Sequence, residues 1–272
     1  MSIISFEDTL GCVAVEALGE DCFTAPNIEM EYYRIFGGQL LAQGIAIAVA
    51  TCEGKAVKSM HVGFPRAGDL RKPVEFKVER LQDGRSFASR QILGGQEGKL
   101  IFHATVLLHV VEEGVDHQLP APDVGPPEAA TPEDLGMIPW ETRIVDGVDL
   151  GSREVGEARY RFWQRTPKLP DDPMVHQALL AHSTDLTLIG TALRPVPELS
   201  EADATVKVQT AVTSHSIWFH RPFRLDEWVL IAQESPSLAG ARGFGFGHAY
   251  NATGALVASF AQESMIRPIE PK

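Results

Sequence analysis

The chain has 272 residues, 44% hydrophobic and 22% charged, enough for one large domain or two of ordinary size. Its net charge of -12 excludes general affinity for nucleic acid, which depends on many Lys and Arg contacts to phosphate. No stretch approaches the ~20 apolar residues of a membrane span, the N-terminus MSIISFEDTLG predicts no signal peptide, and Cys12, Cys22 and Cys52 lack metal-ligand spacing, so a cytoplasmic protein with reduced thiols is expected.

Along the chain, GGQLLAQGIAIAVATCEG (37–54) is apolar nearly all round a helical wheel and predicts a helix buried on most of its surface. Short β-rich runs follow at 60–64, 73–81, 86–93 and 99–109, separated by Gly, Asp and Pro. Residues 112–158 then carry twelve acids against Arg143 and Arg153, together with six prolines, and read as an irregular linker. Beyond it the pattern returns: a helix over 174–193, then strands at 215–223, 228–235, 241–250 and 255–267. Phe64-Pro65-Arg66 matches Phe219-His220-Arg221 at a shift of 155 residues, which marks a duplicated unit.

The predicted organisation is therefore a first unit over 1–112, an acidic linker over 113–158 and a second unit over 159–272. A buried helix followed by antiparallel strands, without βαβ alternation, predicts an α+β fold in which a curved sheet wraps one long helix in each unit. No GxGxxG opens a helix after a strand and no Walker-type loop is present, so nucleotide hydrolysis and dinucleotide binding have no support. A GxSxG elbow is also missing, which counts against an ordinary serine hydrolase.

The phrases FGGQLLAQG (36–44), HVGFPRAGD (61–69), RLQDGRSFASRQI (80–92), STDL (183–186), HSIWFHRPFRLDEW (215–228), ARGF (241–244) and LVASFAQESMIR (256–267) resemble the type II acyl-CoA thioesterases, the TesB-like double hotdog family. The likeness runs in order over nearly the whole chain. It implies two tandem hotdog units with an active site between them, hydrolysis of acyl-CoA to free acid and CoA, no metal or organic cofactor, and a homo-oligomer. It further implies that an Asp on the second helix, a Thr or Ser on the following strand and a Gln on the last strand hold the attacking water. Asp185 and Gln262 match the first and third positions. The hydroxyl position is occupied by Val212.

Thioester hydrolysis needs an oriented water, a group to take its proton and donors for the developing oxyanion. Asp185 is the candidate base, although a carboxyl with a reference pKa of about 3.9 suits that role only if burial raises it. Simple strand alternation puts Ser214 on the face of Val212 and Thr213 on the other, so Ser214 is expected to replace the missing hydroxyl and Thr213 would need a bulge to do so. Gly37, Gly38 and Gln39 open the first helix, where free N–H groups favour an anion or a polarised carbonyl, and Arg66 and Arg85 are candidates for the CoA phosphates. His215 and His220 read as structural. Two alternatives stay open: an acyl-CoA binding protein without turnover, for which Val212 speaks, and a hotdog enoyl-CoA hydratase, against which Gly190 speaks, because a His about five residues after the Asp is wanted there.

Overall fold

The computed structural model describes residues 4–30 and 32–269. Its first unit comprises α1 (Phe6–Gly11), β1 (Glu16–Gly19), β2 (Cys22–Ala25), α2 (Gly37–Ala50), β3 (Ala56–Gly63), β4 (Val74–Asp83), β5 (Phe87–Gln96) and β6 (Lys99–His109). After them come β7 (Thr131–Pro132), β8 (Glu141–Ile144), β9 (Arg159–Arg165), α3 (Pro173–Thr184), α4 (Leu188–Leu193), β10 (Val208–Phe219), β11 (Val229–Ala239), β12 (Arg242–Asn251) and β13 (Leu256–Pro268).

All thirteen strands among the described residues form one sheet in the order β1-β2-β4-β5-β6-β3-β10-β13-β12-β11-β9-β8-β7. The second half of that order is the first half in reverse, as a duplicated unit paired antiparallel with its copy requires. The seam is β3 against β10, with His61 opposite Ser216. Those two residues are also equivalent by the shift of 155, so the pseudo-two-fold axis passes between them, where His61 Nδ1 lies 3.1 Å from Ser216 Oγ. The fold is an α+β double hotdog, as the strand pattern and the resemblance lead one to expect.

Inside the curved sheet lie α2, buried without interruption from Gly38 to Ala48, and α3, buried from Val175 to Thr184. They run antiparallel. At one end Gly38 of α2 abuts the backbone of His182 in α3, and at the other Gln177 of α3 donates to the carbonyl of Val57, just past α2. Apolar side chains all round each helix follow from this position, because sheet covers one side and the partner helix the other.

The structure differs from the expected linker. Residues 113–126 carry no regular element, but farther on β7 and β8 extend the sheet edge and Ile138, Trp140, Ile144 and Leu150 join the core. Trp140 is anchored by its indole N–H, which donates to Gln164 on β9 at 2.9 Å. Prolines at 132 and 139 mask this in the sequence, yet they are compatible with it, since strand ends at a sheet edge need few N–H donors. The second predicted helix is also two helices, broken over residues 185–187.

Candidate active site

The break in the second helix places the key carboxylate. Ser183 bonds back to the carbonyl of Leu180, and such short hydroxyl side chains compete with helix propagation. Asp185 takes the C-cap position of α3, at the N-terminus of α2. That helix start has no side-chain cap from Phe36, and Gly38 N–H acts on the Asp185 carboxylate instead. A side chain at Gly37 would put its Cβ 2.7 Å from Asp185 Oδ2, so only glycine lets the carboxylate approach this closely.

Asp185 is 3% exposed, and its Oδ1 has no hydrogen-bond partner among the described residues. Burial pushes its pKa up to about 7, against the opposing influence of the Gly38 N–H and the positive charge of Arg34. A carboxylate with one unpartnered oxygen and a pKa near neutrality is a competent general base. Arg34, from the loop before α2, also donates to the carbonyl of Thr210 on β10 at 3.1 Å and lies over the Tyr33 ring at 4.9 Å. Sequence reasoning missed it; an arginine flanked by Tyr33 and Ile35 has the look of an ordinary surface cation.

Next to Asp185, the Thr184 hydroxyl lies 3.1 Å from His215 Nε2 on β10. His215 Nδ1 meets Gln262 Oε1 on β13 at 3.0 Å, and Gln262 Nε2 donates to Ser264 Oγ at 3.1 Å. Burial pushes the His215 pKa down to about 4, so the ring is neutral near pH 7 and fixes the Gln262 amide rather than supplying charge. Thr187, on the far side of the break, bonds Gln233 on β11 at 3.0 Å. The peptide around Asp185 is thus tied to β10 and to β11, and β13 with Gln262 runs between those strands in the sheet order.

The alternation expected for 210–216 does not hold. Val212 pairs with Ser264 and Ser214 with Glu263, so Thr213 is the extra residue of a β-bulge. Thr210 and Val212 face the helices before the bulge, whereas His215, Ile217 and Phe219 face them after it. Ser214, opposite Gly63, therefore lies on the outer face of the sheet with Ser216 and Trp218. This corrects the expectation that Ser214 stands beside Val212. Thr213 does sit in a bulge, but its hydroxyl donates to the Glu263 carbonyl at 2.9 Å and the side chain is exposed.

Of the other predicted residues, Gly37 and Gly38 touch Asp185. Gln39 does not offer its side chain to a ligand, because its amide accepts from Ile28 N–H and donates to Asn27. Arg66 is exposed and bonds the Leu100 carbonyl. Arg85 is at the β4–β5 turn, close to Asp83 and the buried Arg90 that bonds Thr51 at the C-terminus of α2. A helix of this length puts that end about 20 Å from Gly37, so the structure does not bring Arg85 to Asp185.

The double hotdog thus holds a buried carboxylate where the end of α3 meets the start of α2, and a glutamine on β13 fixed by His215 and Ser264. The family model for acyl-CoA thioesterases matches residues 141–265, and that for the acyl-CoA thioesterase N-terminal domain matches residues 25–109. The chain is 31% identical to acyl-CoA thioesterase 2 of Haemophilus influenzae, over 93% of this chain and 94% of that protein. It is 32% identical to human acyl-coenzyme A thioesterase 8, over 93% of this chain and 86% of that one. The crystal structure of the acyl-CoA thioesterase II TesB2 from Mycobacterium marinum superposes with a TM-score of 0.83 at 32% identity, covering 96% of this chain and 99% of its own. This chain belongs to the acyl-CoA thioesterase family, and it is a thioester hydrolase.

Proposed function

We propose that the protein hydrolyses fatty acyl-CoA to free acid and CoA by means of a water held between Asp185 and Gln262. The observation that carries this reading is the buried Asp185 carboxylate, with Oδ1 unpartnered and its pKa pushed up to about 7. Oδ1 accepts the proton of the water as its oxygen attacks the thioester carbonyl; the second Nε2 proton of Gln262 orients that oxygen. The developing oxyanion is placed at the N-terminus of α2, where a helix start stabilises negative charge. Collapse of the tetrahedral intermediate breaks the C–S bond, and the proton returns from Asp185 to the departing thiolate. No metal or organic cofactor takes part in this scheme.

Substrate enters by a cleft of about 890 Å³ lined by Met30, Tyr32, Tyr33, Gly68, Leu70 and Arg71, beside Arg34. Its aromatic and apolar groups suit the apolar part of a thioester, and Arg34 beside them offers a charge to its anionic end, Arg71 being paired with Asp69 of the same lining. Arg66 lies three residues past Gly63 and is kept as a phosphate contact from the same side.

The test is thiol release from a series of acyl-CoAs of increasing length, followed against pH. With a base of pKa about 7, kcat/KM rises about tenfold per pH unit below 7 and levels off above it. A profile flat from pH 5 to 8 would remove Asp185 from the role of base. Binding of acyl-CoA without thiol release would instead favour a non-catalytic acyl-CoA binding protein.

A homo-oligomer is part of the same reading. The outer sheet face carries Phe87, Leu93, Trp218 and Phe244, each more than a third exposed, around the β3–β10 seam. Such a surface fits a second copy of the chain. Trp218→Glu is expected to lower the mass measured by light scattering to that of one chain; an unchanged mass would place the contact elsewhere.

A further inference from the structure

The hydroxyl position implied by the resemblance falls on Val212, which has no group to offer a water. Across the β10–β13 pair, directly opposite Val212, stands Ser264. Both side chains point to the helix side of the sheet, Ser264 being 3% exposed and two residues along the same face from Gln262. Facing residues of an antiparallel pair have Cβ atoms about 5 Å apart, so a hydroxyl on β13 reaches nearly the space that one on β10 would occupy.

We propose that Ser264 is a catalytic residue that supplies the hydroxyl Val212 lacks, and that its Oγ holds the attacking water together with Gln262 and Asp185. This rests on the reading of Asp185 and Gln262 given above.

Two further observations support it. Ser264 Oγ accepts from Gln262 Nε2 at 3.1 Å, while its own proton has no acceptor among the described residues. A buried hydroxyl normally donates as well as accepts, so an unspent donor here is available to a water oxygen. The helix after Asp185 also reaches this part of the sheet: the neighbours of Ser264 and Gln262 on β12 are Gly243 and Gly245, and a Cβ at Gly243 would fall 3.3 Å from Ala192 of α4. A Cβ at Gly245 would fall 2.6 Å from Leu188 at the start of α4, so the peptide after Asp185 descends close to the sheet at Gln262. The chain three residues past Asp185 is therefore packed over the strand pair that carries Gln262 and Ser264.

The simpler role for Ser264 is to satisfy the Gln262 amide, and the experiment has to separate the two. Native protein, Ser264→Ala, Val212→Thr/Ser264→Ala and Asp185→Asn are compared for kcat and KM in thiol release, with melting temperatures recorded. Valine and threonine have nearly the same shape, so the second substitution restores a hydroxyl on the opposite strand without refilling the bond to Gln262.

Expected are a loss of about 10- to 100-fold in kcat for Ser264→Ala with KM changed less than threefold, and recovery to within about fivefold of native in the double variant. Native kcat in Ser264→Ala, or a double variant as slow as the single one, overturns the proposal while inactivity of Asp185→Asn leaves the base assignment standing. Near-native turnover by Asp185→Asn removes the shared water site, and Ser264 falls with it.

Discussion

Asp185→Asn is expected to lower thiol release by about a thousandfold or more and, at the same time, to make the protein more stable. The amide keeps the shape of the carboxyl and still accepts from Gly38 N–H, but it cannot take a proton from water. The stability change follows from the pKa. In the folded protein the carboxyl ionises near 7, because burial opposes its charge, against an ordinary value of 3.8. Between those values the unfolded chain is ionised and the folded one protonated, so the contribution of this group to stability is greatest below pH 4 and falls as pH rises to about 7. At about 1.4 kcal/mol per pKa unit the loss is on the order of 4 kcal/mol, a net figure in which the attraction of Arg34 is already counted, and burial of the polar amide in the variant retains a part of it. The melting temperature of Asp185→Asn at pH 8 should therefore exceed native by roughly 5 °C, with the gap narrowing toward pH 5. A variant less stable than native at pH 8 would show that the carboxylate holds the two helices together and that its charge is compensated.

Gly38→Ala is the substitution expected to damage the fold most for its size. An added Cβ would fall well inside contact distance of the His182 carbonyl and 2.5 Å from a carbon of the Phe36 ring. The carbonyl belongs to the backbone of α3 and cannot swing away, so α2 and α3 must separate along their whole buried contact. A cost of about 3 kcal/mol or more is expected, at or above the upper end for one extra methyl in a packed core. Activity should be lost as well, because the Gly38 N–H is drawn off Asp185. Gly37→Ala gives the contrast. The three atoms its Cβ would meet first all belong to the Asp185 carboxylate, a side chain able to rotate, so chemical denaturation should show a small change in stability beside a large loss of kcat. Equal destabilisation by both would mean that the helix start tolerates no side chain, whatever it meets.

The sequence showed the enclosed helix over 37–54, the four strands after each helix and the duplication, because each is written in local periodicity. Asp185 and Gln262 could be picked out by resemblance alone, since an aspartate in STDL and a glutamine in FAQESM carry no chemistry until they are placed. What escaped depends on relations between distant residues. Strict alternation gave the wrong face for Ser214 because one extra residue at Thr213 reverses the phase of β10, and a bulge shows only in the pairing with β13. The break at 185–187 was hidden by apolar residues on both sides, Leu186 and Leu188 continuing the helical pattern. Arg34 gained meaning only when the loop before α2 was placed against β10, where it bonds the Thr210 carbonyl. In the acidic segment, proline content outweighed the short apolar run at Met137, Ile138 and Trp140 that anchors it to the second unit.

The seam at β3 and β10 bears on when activity arises during synthesis. A ribosome that has released the first unit has exposed an unpaired β3 and one side of α2, with Gly37 and Gly38 facing solvent and no carboxylate to receive them. Gln262 and Ser264 are on β13, the last of the described strands, so a product that stops short of it lacks that part of the proposed site. A chain cut anywhere in the acidic segment divides the chemistry between its pieces, and hydrolysis of acyl-CoA becomes a direct report that the two halves have closed on one another.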